Sequence, residues 1–556
     1  MMNNLNQNQT EHKTYEIDNY LFEDIYKLDD DKSNTVGLYF EKNSFTFKEI
    51  EKCVDYFAKL LKDKGVKKGD HVALLSMNCY NWMIAFYAII KVGAVAVLIN
   101  YMARHETLVE LIEDTDCKFL VYGRYTALVK QQRELSKLLK EVDIPRERAI
   151  SIRFRHLNFK EILEKKQIEP FKSPYSREED SKRTSFIIFT TGTTAKPKAA
   201  CLSQYGMMND IYLNFACLDA EFSQKFMCLL PLFHCFGLLV VNAYMAFQRT
   251  VYINALSDKS KIYKDFIFNR CGGAASVSII FDKLTKAPFW WLHKARFVKH
   301  AIVGGGFTSS QQFELLQKKF PKTKFMNGYG QTECSPMISL VYPDAPEEKQ
   351  RTTVGIPMKG IELKFMDPET KKFVKDGEPG EILVKGYNVF NGYYNMSEDK
   401  QPFDKDGYLH TGDMGYLDKD GYLVLSGRLK DIIIRKGENI SPKEIETELA
   451  KFKEFGQVRV LGFPSIDEGE FIIGCVELLK KPLHFDENKY LKEMAKTLPS
   501  IKIPAHIVYT KKFPLTANGK LDEMKLRELS LQKIAKYLGE ETLARKTRKL
   551  MEKTVE

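Results

Sequence analysis

The stretch Phe189-Thr190-Thr191-Gly192-Thr193-Thr194-Ala195-Lys196-Pro197-Lys198 follows the apolar run Phe186-Ile187-Ile188 and packs four threonines, one glycine and two lysines into ten positions. A β-like run that opens into such a loop presents hydroxyls and backbone N–H groups together, which suits the oxygens of a polyphosphate. The lysines add positive charge, and Pro197 stiffens the exit by fixing its own φ. The same residues would also make a polar surface turn. The loop is not a P-loop. Ala195 and Pro197 precede the two lysines where that motif needs glycine, and no Ser or Thr follows either lysine.

Further motifs follow in order. They are Pro231-Leu232-Phe233-His234-Cys235-Phe236-Gly237, Gly328-Tyr329-Gly330-Gln331-Thr332-Glu333, Gly380-Glu381-Ile382 running to Gly392-Tyr393-Tyr394, and Thr411-Gly412-Asp413. Then come Gly427-Arg428-Leu429-Lys430-Asp431, Lys436-Gly437-Glu438-Asn439-Ile440-Ser441-Pro442, and Pro514-Leu515-Thr516-Ala517-Asn518-Gly519-Lys520. Each is weak alone. Together, over roughly residues 35 to 525, the ordered set resembles the adenylate-forming superfamily of acyl-CoA synthetases, coumarate-CoA-ligase-like enzymes, luciferases and peptide-synthetase adenylation domains. Two glycines of the family's threonine-rich loop are Ala195 and Ala199 here. Alanine enters positive φ less readily, so a stiffer loop is expected.

The resemblance implies an α/β fold: a large, multi-subdomain N-terminal AMP-binding domain over 35–429 and a small mobile α/β lid over 430–525. A polar N-terminal extension is expected over 1–34 and a basic helical C-terminal extension over 526–556. The residues themselves support a boundary near Lys430. There a turn and short strand, Asp418 to Gly427, give way to the new strand at Ile432-Ile433-Ile434, and Ser441-Pro442 reads as a helix start. Leu526, Leu529, Leu531, Ile534, Tyr537 and Leu538 are spaced as an amphipathic helix, and Arg545 to Lys549 as a solvated face.

Composition fits a large enzyme with an ample core, at 44% hydrophobic over 556 residues. The net charge of +11 is mild for that length and suits anionic ligands or a plain basic surface, and gives no ground for nucleic-acid binding. Ten scattered cysteines without a Cys-x-x-Cys pair argue against zinc or a disulfide framework and for reduced thiols in the cytoplasm. Met1 to Thr10 lacks the pattern of a signal peptide and reads as a polar tail. Asn81 to Asn100, interrupted by Lys91, reads as a buried helix and strand rather than a membrane span. The aromatic and basic Pro288 to Arg296 is expected to pack on the core; an acyl-tunnel entrance or a peripheral membrane contact are the other readings.

By resemblance, Thr190, Thr191, Gly192, Thr193, Thr194 and Lys198 hold the triphosphate. Glu333 binds Mg²⁺ with Thr190 nearby, and Tyr329, Gly330, Gln331 and Thr332 bind adenine and α-phosphate. Asp413 takes the ribose hydroxyls, Arg428 supports ribose or phosphate, and Lys520 reaches from the lid to the α-phosphate and substrate carboxylate. His234 orients the acyl carboxylate, although a core histidine is the other reading. Lys436 and Gly437 line the CoA channel, and Lys430 is the hinge. Glycine at 330, where acetate-specific relatives place tryptophan, is expected to leave the acyl pocket open. The activity implied is ATP-dependent ligation of a carboxylic acid, of medium- or long-chain fatty type in lipid metabolism, to CoA through an acyl-adenylate, with AMP and pyrophosphate released. Ligation to a separate acyl carrier protein, arrest at acyl-AMP, and an inactive nucleotide-binding module are the alternatives.

Overall fold

The computed structural model describes residues 15–28, 30–125, 128–190, 197–216, 223–255, 262, 264, 266, 268–285, 297–304, 310–436, 438–465, 468–479, 485–515 and 521–538. Among these, two large sheets form the body of the N-terminal part. In a six-stranded sheet, Ala149–Ser151, Phe119–Tyr122, His71–Leu75, Val95–Leu98 and Thr184–Thr190 run parallel, and Lys198–Ser203 closes one edge antiparallel to Thr184–Thr190. A nine-stranded sheet holds Lys225–Cys228, Gly273–Ser276, His300–Val303 and Lys324–Tyr329 as parallel neighbours. The strands read as unbroken apolar runs because helices cover both faces of a parallel sheet.

Local sequence explains these elements. Helix Phe47–Asp63 starts at a capping box, in which Thr46 accepts from the Glu49 N–H and Glu49 accepts from the Thr46 N–H. It buries Phe47, Ile50, Val54, Phe57 and Leu61 at helical spacing. Helix Tyr80–Lys91 is buried on every side and leads into the buried strand Val95–Leu98, the pair expected in place of a membrane span. Lys91 is tolerated there because its ammonium lies 2.6 Å from Asp55 and 3.1 Å from Glu23. No helix among the described residues is long and apolar enough to cross a membrane.

Glu23 belongs to a segment that the sequence assigned to a polar extension. Residues 15–28 instead lie along helix Gln204–Asp210. The Phe22 N–H donates to Gln204, Asp18 and Asn209 exchange two hydrogen bonds, and Tyr20 packs on Tyr212. Phe22, Ile25 and Tyr26 are essentially fully buried, so the polar extension cannot reach residue 34. Polar residues around them masked this short apolar motif in the sequence.

An antiparallel sheet of Ile361–Met366, Gly380–Gly386, Leu409–Leu417 and Leu423–Arg428 completes the N-terminal part. A 3-10 turn, Leu429–Asp431, leads into a second core. There Ile433–Arg435, Glu438–Ile440, Phe455–Ser465, Gly469–Leu478 and His506–Thr510 form one sheet. Helix Pro442–Ala450 has proline in its first turn as expected, but Ser441 does not cap it; its hydroxyl donates to the Ser426 carbonyl across the boundary. Helix Glu523–Leu538 buries Leu526, Ser530 and Ile534 against Leu461, Ile473 and Val508. The amphipathic helix expected beyond 525 is thus part of the small domain's own core, not an appendage.

Candidate functional site

Three motif segments converge where the nine-stranded and antiparallel sheets meet. Tyr329, at the end of Lys324–Tyr329, donates its hydroxyl to Asp413 Oδ2 at 2.8 Å. Arg428 Nε lies 2.8 Å from Asp413 Oδ1, because Asp413 and Arg428 are paired across neighbouring strands. The Asp413 carboxylate is buried, whereas the Arg428 side chain is 54% exposed, so the pair sits at a mouth rather than in a core. Burial, and then the Asp413 charge, push the Tyr329 phenol well above its usual range and keep it a donor. Gly412, at φ +68°, sits in the bulge of the strand Leu409–Leu417 just before Asp413. Buried Glu381 holds that bulge by accepting from the Gly412 N–H at 3.2 Å and contacting His410 Nδ1 at 3.0 Å. Each Asp413 oxygen holds one partner and keeps lone pairs for further donors.

A second cluster surrounds Glu333, in the 3-10 turn Thr332–Cys334. Glu333 is 8% exposed, and its Oε1 accepts from the Tyr393 hydroxyl at 2.5 Å. Thr190 hydrogen-bonds the same phenol, and the Lys198 ammonium stands 5.0 Å above the Tyr393 ring. Thr190 and Lys198 face each other across the last pair of an antiparallel ladder, beside Tyr393. Gln331 Nε2 is buried without a hydrogen-bond partner among the described residues, a donor left for a ligand. One carboxylate oxygen, a hydroxyl and incoming phosphate oxygens fit Mg²⁺, which keeps waters and substrate oxygens rather than an all-protein cage. No group of three or more His, Cys, Asp or Glu suited to a metal occurs among the described residues.

His234 caps helix Cys235–Ala246 with its backbone, and its ring packs on Phe233 at 4.5 Å. Asn78 positions this segment by donating to the Leu230 carbonyl at 2.8 Å and accepting from the Leu232 N–H at 3.0 Å. A Cβ at Gly304 would lie 3.2 Å from the Phe236 ring and 3.5 Å from the Gly328 carbonyl oxygen, so the ring packs closely on both glycines. At Gly330 a Cβ would sit 1.8 Å from the Pro336 carbonyl oxygen, so glycine is required there by a close backbone approach.

Thr191 to Lys196, including Thr194, lie outside the described residues, as do Gly437, Lys520 and Pro288 to Arg296. Lys430 is exposed in the boundary turn. Lys436, at φ +53°, pairs with Glu468 at 3.1 Å within the small domain. Thr332 and Gly330 flank Gln331 on the loop between Tyr329 and Glu333.

Tyr393, Glu381 and Asn78 were missed as site residues. The first two stand inside quoted motifs but carried no assigned chemistry; Asn78 gave no signal. Asp210 was missed as well. It is fully buried, accepts from the Tyr387 hydroxyl at 3.2 Å and the Met337 N–H at 3.4 Å, and burial raises its carboxyl far above the usual range. It braces the segment after Glu333.

A model of the AMP-binding enzyme family matches residues 28–394, and one of the AMP-binding enzyme C-terminal domain matches residues 444–520. The putative acyl-CoA synthetase YngI of Bacillus subtilis (strain 168) is 28% identical over 512 residues, 88% of this chain and 92% of the relative. The mitochondrial medium-chain acyl-CoA ligase ACSF2 of Danio rerio is 27% identical over 511 residues, 87% of this chain and 83% of the relative. ATP-bound MatB from Rhodopseudomonas palustris has a similar fold, with TM-score 0.79 and 23% identity over 91% of this chain and 98% of that one. So has o-succinylbenzoate coenzyme A synthetase from Bacillus subtilis in complex with ATP and magnesium, with TM-score 0.71 and 24% identity over 89% of this chain and 97% of that one. With the motifs, the two-part fold and the matching models in agreement, the chain belongs to the AMP-binding, adenylate-forming enzyme family.

Proposed function

We propose that the chain activates a medium- or long-chain fatty acid with MgATP and transfers the acyl group to CoA. The observation that carries the substrate class is the apolar lining around His234, whose ring packs on Phe233 at 4.5 Å at the start of the apolar helix Cys235–Ala246. An apolar acyl chain suits that lining, and a second carboxylate does not. The relatives' names extend from medium-chain acyl groups to o-succinylbenzoate, so the lining and not the likeness favours the fatty acid.

The chemistry follows from the two clusters. A carboxylate is a poor acyl donor because its leaving group is oxide. Attack on the α-phosphorus of ATP converts it to an acyl-adenylate, from which a thiol displaces AMP. Asp413, with Tyr329 and Arg428, holds the ribose; Glu333, Thr190 and Lys198 hold the triphosphate end; and His234 orients the carboxylate. Mg²⁺, when bound at Glu333, offsets charge on the phosphates. Lys520 supplies a further positive charge from the small domain. The test is ATP-dependent AMP release across a panel of carboxylates, with CoA, with a holo carrier protein and with neither. Release driven by medium- and long-chain fatty acids and raised by CoA supports the proposal. Preference for o-succinylbenzoate, or for the carrier, overturns the substrate or the acceptor; no release with any acid supports the silent module.

A further inference from the structure

Tyr393 stands between both groups proposed to face the metal, and nothing in the chemistry above uses it. Its hydroxyl donates to Glu333 Oε1 at 2.5 Å, and Thr190 hydrogen-bonds the same oxygen. Its backbone is locked from both sides, with its N–H donating to Gln401 Oε1 at 2.8 Å and its carbonyl accepting from Gln401 Nε2 at 2.9 Å. A bridge to Ala200 ties it to the strand Lys198–Ser203. The ring is held edge-on to Phe390 at 4.9 Å, and the Phe390 N–H in turn donates to the Glu333 carbonyl at 3.0 Å. A phenol so fixed cannot follow its partners; they must follow it.

We propose that Tyr393 is a positioning residue for the metal and triphosphate end of the site. Its hydroxyl engages Oε1 of Glu333, orients Oε2 toward the incoming cation, and keeps Thr190 in register with that carboxylate. This rests on the ligase reading for the identity of the nucleotide. Burial, and then the Glu333 charge, keep the phenol protonated, so it remains a donor at ordinary pH. Partners behind a metal-binding carboxylate set its direction and basicity, and losing one typically weakens metal binding about 10- to 100-fold.

The test uses the full-length protein, with Mn²⁺ as the probe and α,β-methylene-ATP as the nucleotide, and reads bound metal by electron paramagnetic resonance. Tyr393→Phe keeps the ring against Phe390 and Lys198 and removes only the hydroxyl. It is expected to weaken Mn²⁺ binding about 10-fold or more, to leave metal-free binding of the nucleotide unchanged, and to spare thioester formation from presynthesised acyl-AMP and CoA, where no triphosphate is held. In a Glu333→Gln background the same substitution should have little further effect on Mn²⁺. Unchanged Mn²⁺ affinity, or parallel loss of metal-dependent and metal-free binding, overturns the proposal, as does a full effect in the Glu333→Gln background. A wild-type protein that binds Mn²⁺ and nucleotide through Tyr393 yet exchanges no pyrophosphate with any acid would overturn the ligase reading alone.

Discussion

Asp413 and Arg428 lie opposite one another on adjacent strands, Oδ1 to Nε at 2.8 Å, at the last residue before the chain leaves the N-terminal domain. The proposed ribose site and the domain boundary therefore share one strand end. Three residues later, Asp431 pairs with Arg459 of the small domain at 2.8 Å, and Arg459 also contacts Glu446 and Glu523. Arg428 is held by one domain and Asp431 by the other, which leaves Leu429 and Lys430 as the residues between two anchors.

Lys430→Pro tests whether those residues form a pivot between two lid positions. Proline fixes φ near −65° and removes a rotation that a moving lid needs. The variant should keep acid-dependent pyrophosphate exchange and lose most thioester formation from acyl-AMP and CoA. Lys520→Ala should show the reverse pattern. Parallel loss of both half-reactions in both variants would mean that the lid does not work from two positions.

Asp413→Ala removes the acceptor of two hydrogen bonds and leaves the buried Tyr329 hydroxyl without its partner. Charged hydrogen bonds contribute about 1.5–3 kcal/mol each, so KM for ATP should rise about 10- to 100-fold. Arg428, half exposed, can turn to solvent, and the melting temperature should fall only modestly. Steady-state kinetics with varied ATP checks this; an unchanged KM would remove Asp413 from the nucleotide site.

Gly330→Ala should destabilise the fold by about 2 kcal/mol or more, because its methyl group meets main chain that cannot rotate away. Urea unfolding reads the loss. A variant of normal stability with altered acid preference would instead place Gly330 at the acyl pocket.

The small domain should gain stability with rising pH. Burial holds the Lys443 ammonium at about 7, with Glu446 opposing the shift and Arg459 adding to it. Above pH 7 the unfolded chain keeps a proton on this lysine that the folded chain has released, so its contribution rises with pH from about 7 toward 10.5. Lys443→Met should flatten that rise and stabilise the domain most at pH 7 and below. Urea melts at pH 7, 8.5 and 10 measure the slope, and an identical slope in the variant would place the charge elsewhere.

Much of the fold was legible because each motif couples an apolar strand to a polar loop: Phe186-Ile187-Ile188 before Thr190, and Lys324–Tyr329 before Glu333. The apolar run Asn81 to Asn100 gave a buried helix and strand, and the spacing of Leu526 to Leu538 gave the last helix. Contacts between segments distant in sequence were not legible. Phe22 meeting Gln204, Pro336 passing over Gly330 and Tyr393 reaching Glu333 are set by tertiary packing, and no local pattern of residue types encodes which strand end a side chain will face. Short apolar groups such as Phe22-Ile25-Tyr26 and Leu526-Ile534 likewise reveal what they pack on only once the partner surface is known.

Acid-dependent exchange of labelled pyrophosphate into ATP measures adenylate formation directly and needs neither CoA nor a moving lid. Wild-type protein supplied with a medium-chain fatty acid should exchange readily. Glu333→Gln, similar in shape but without the charge that holds the metal, should lose about 100-fold or more of that exchange while keeping its fold by circular dichroism. Exchange in the variant near the wild-type rate would contradict the placing of the metal and triphosphate at Glu333, and with it the site described here.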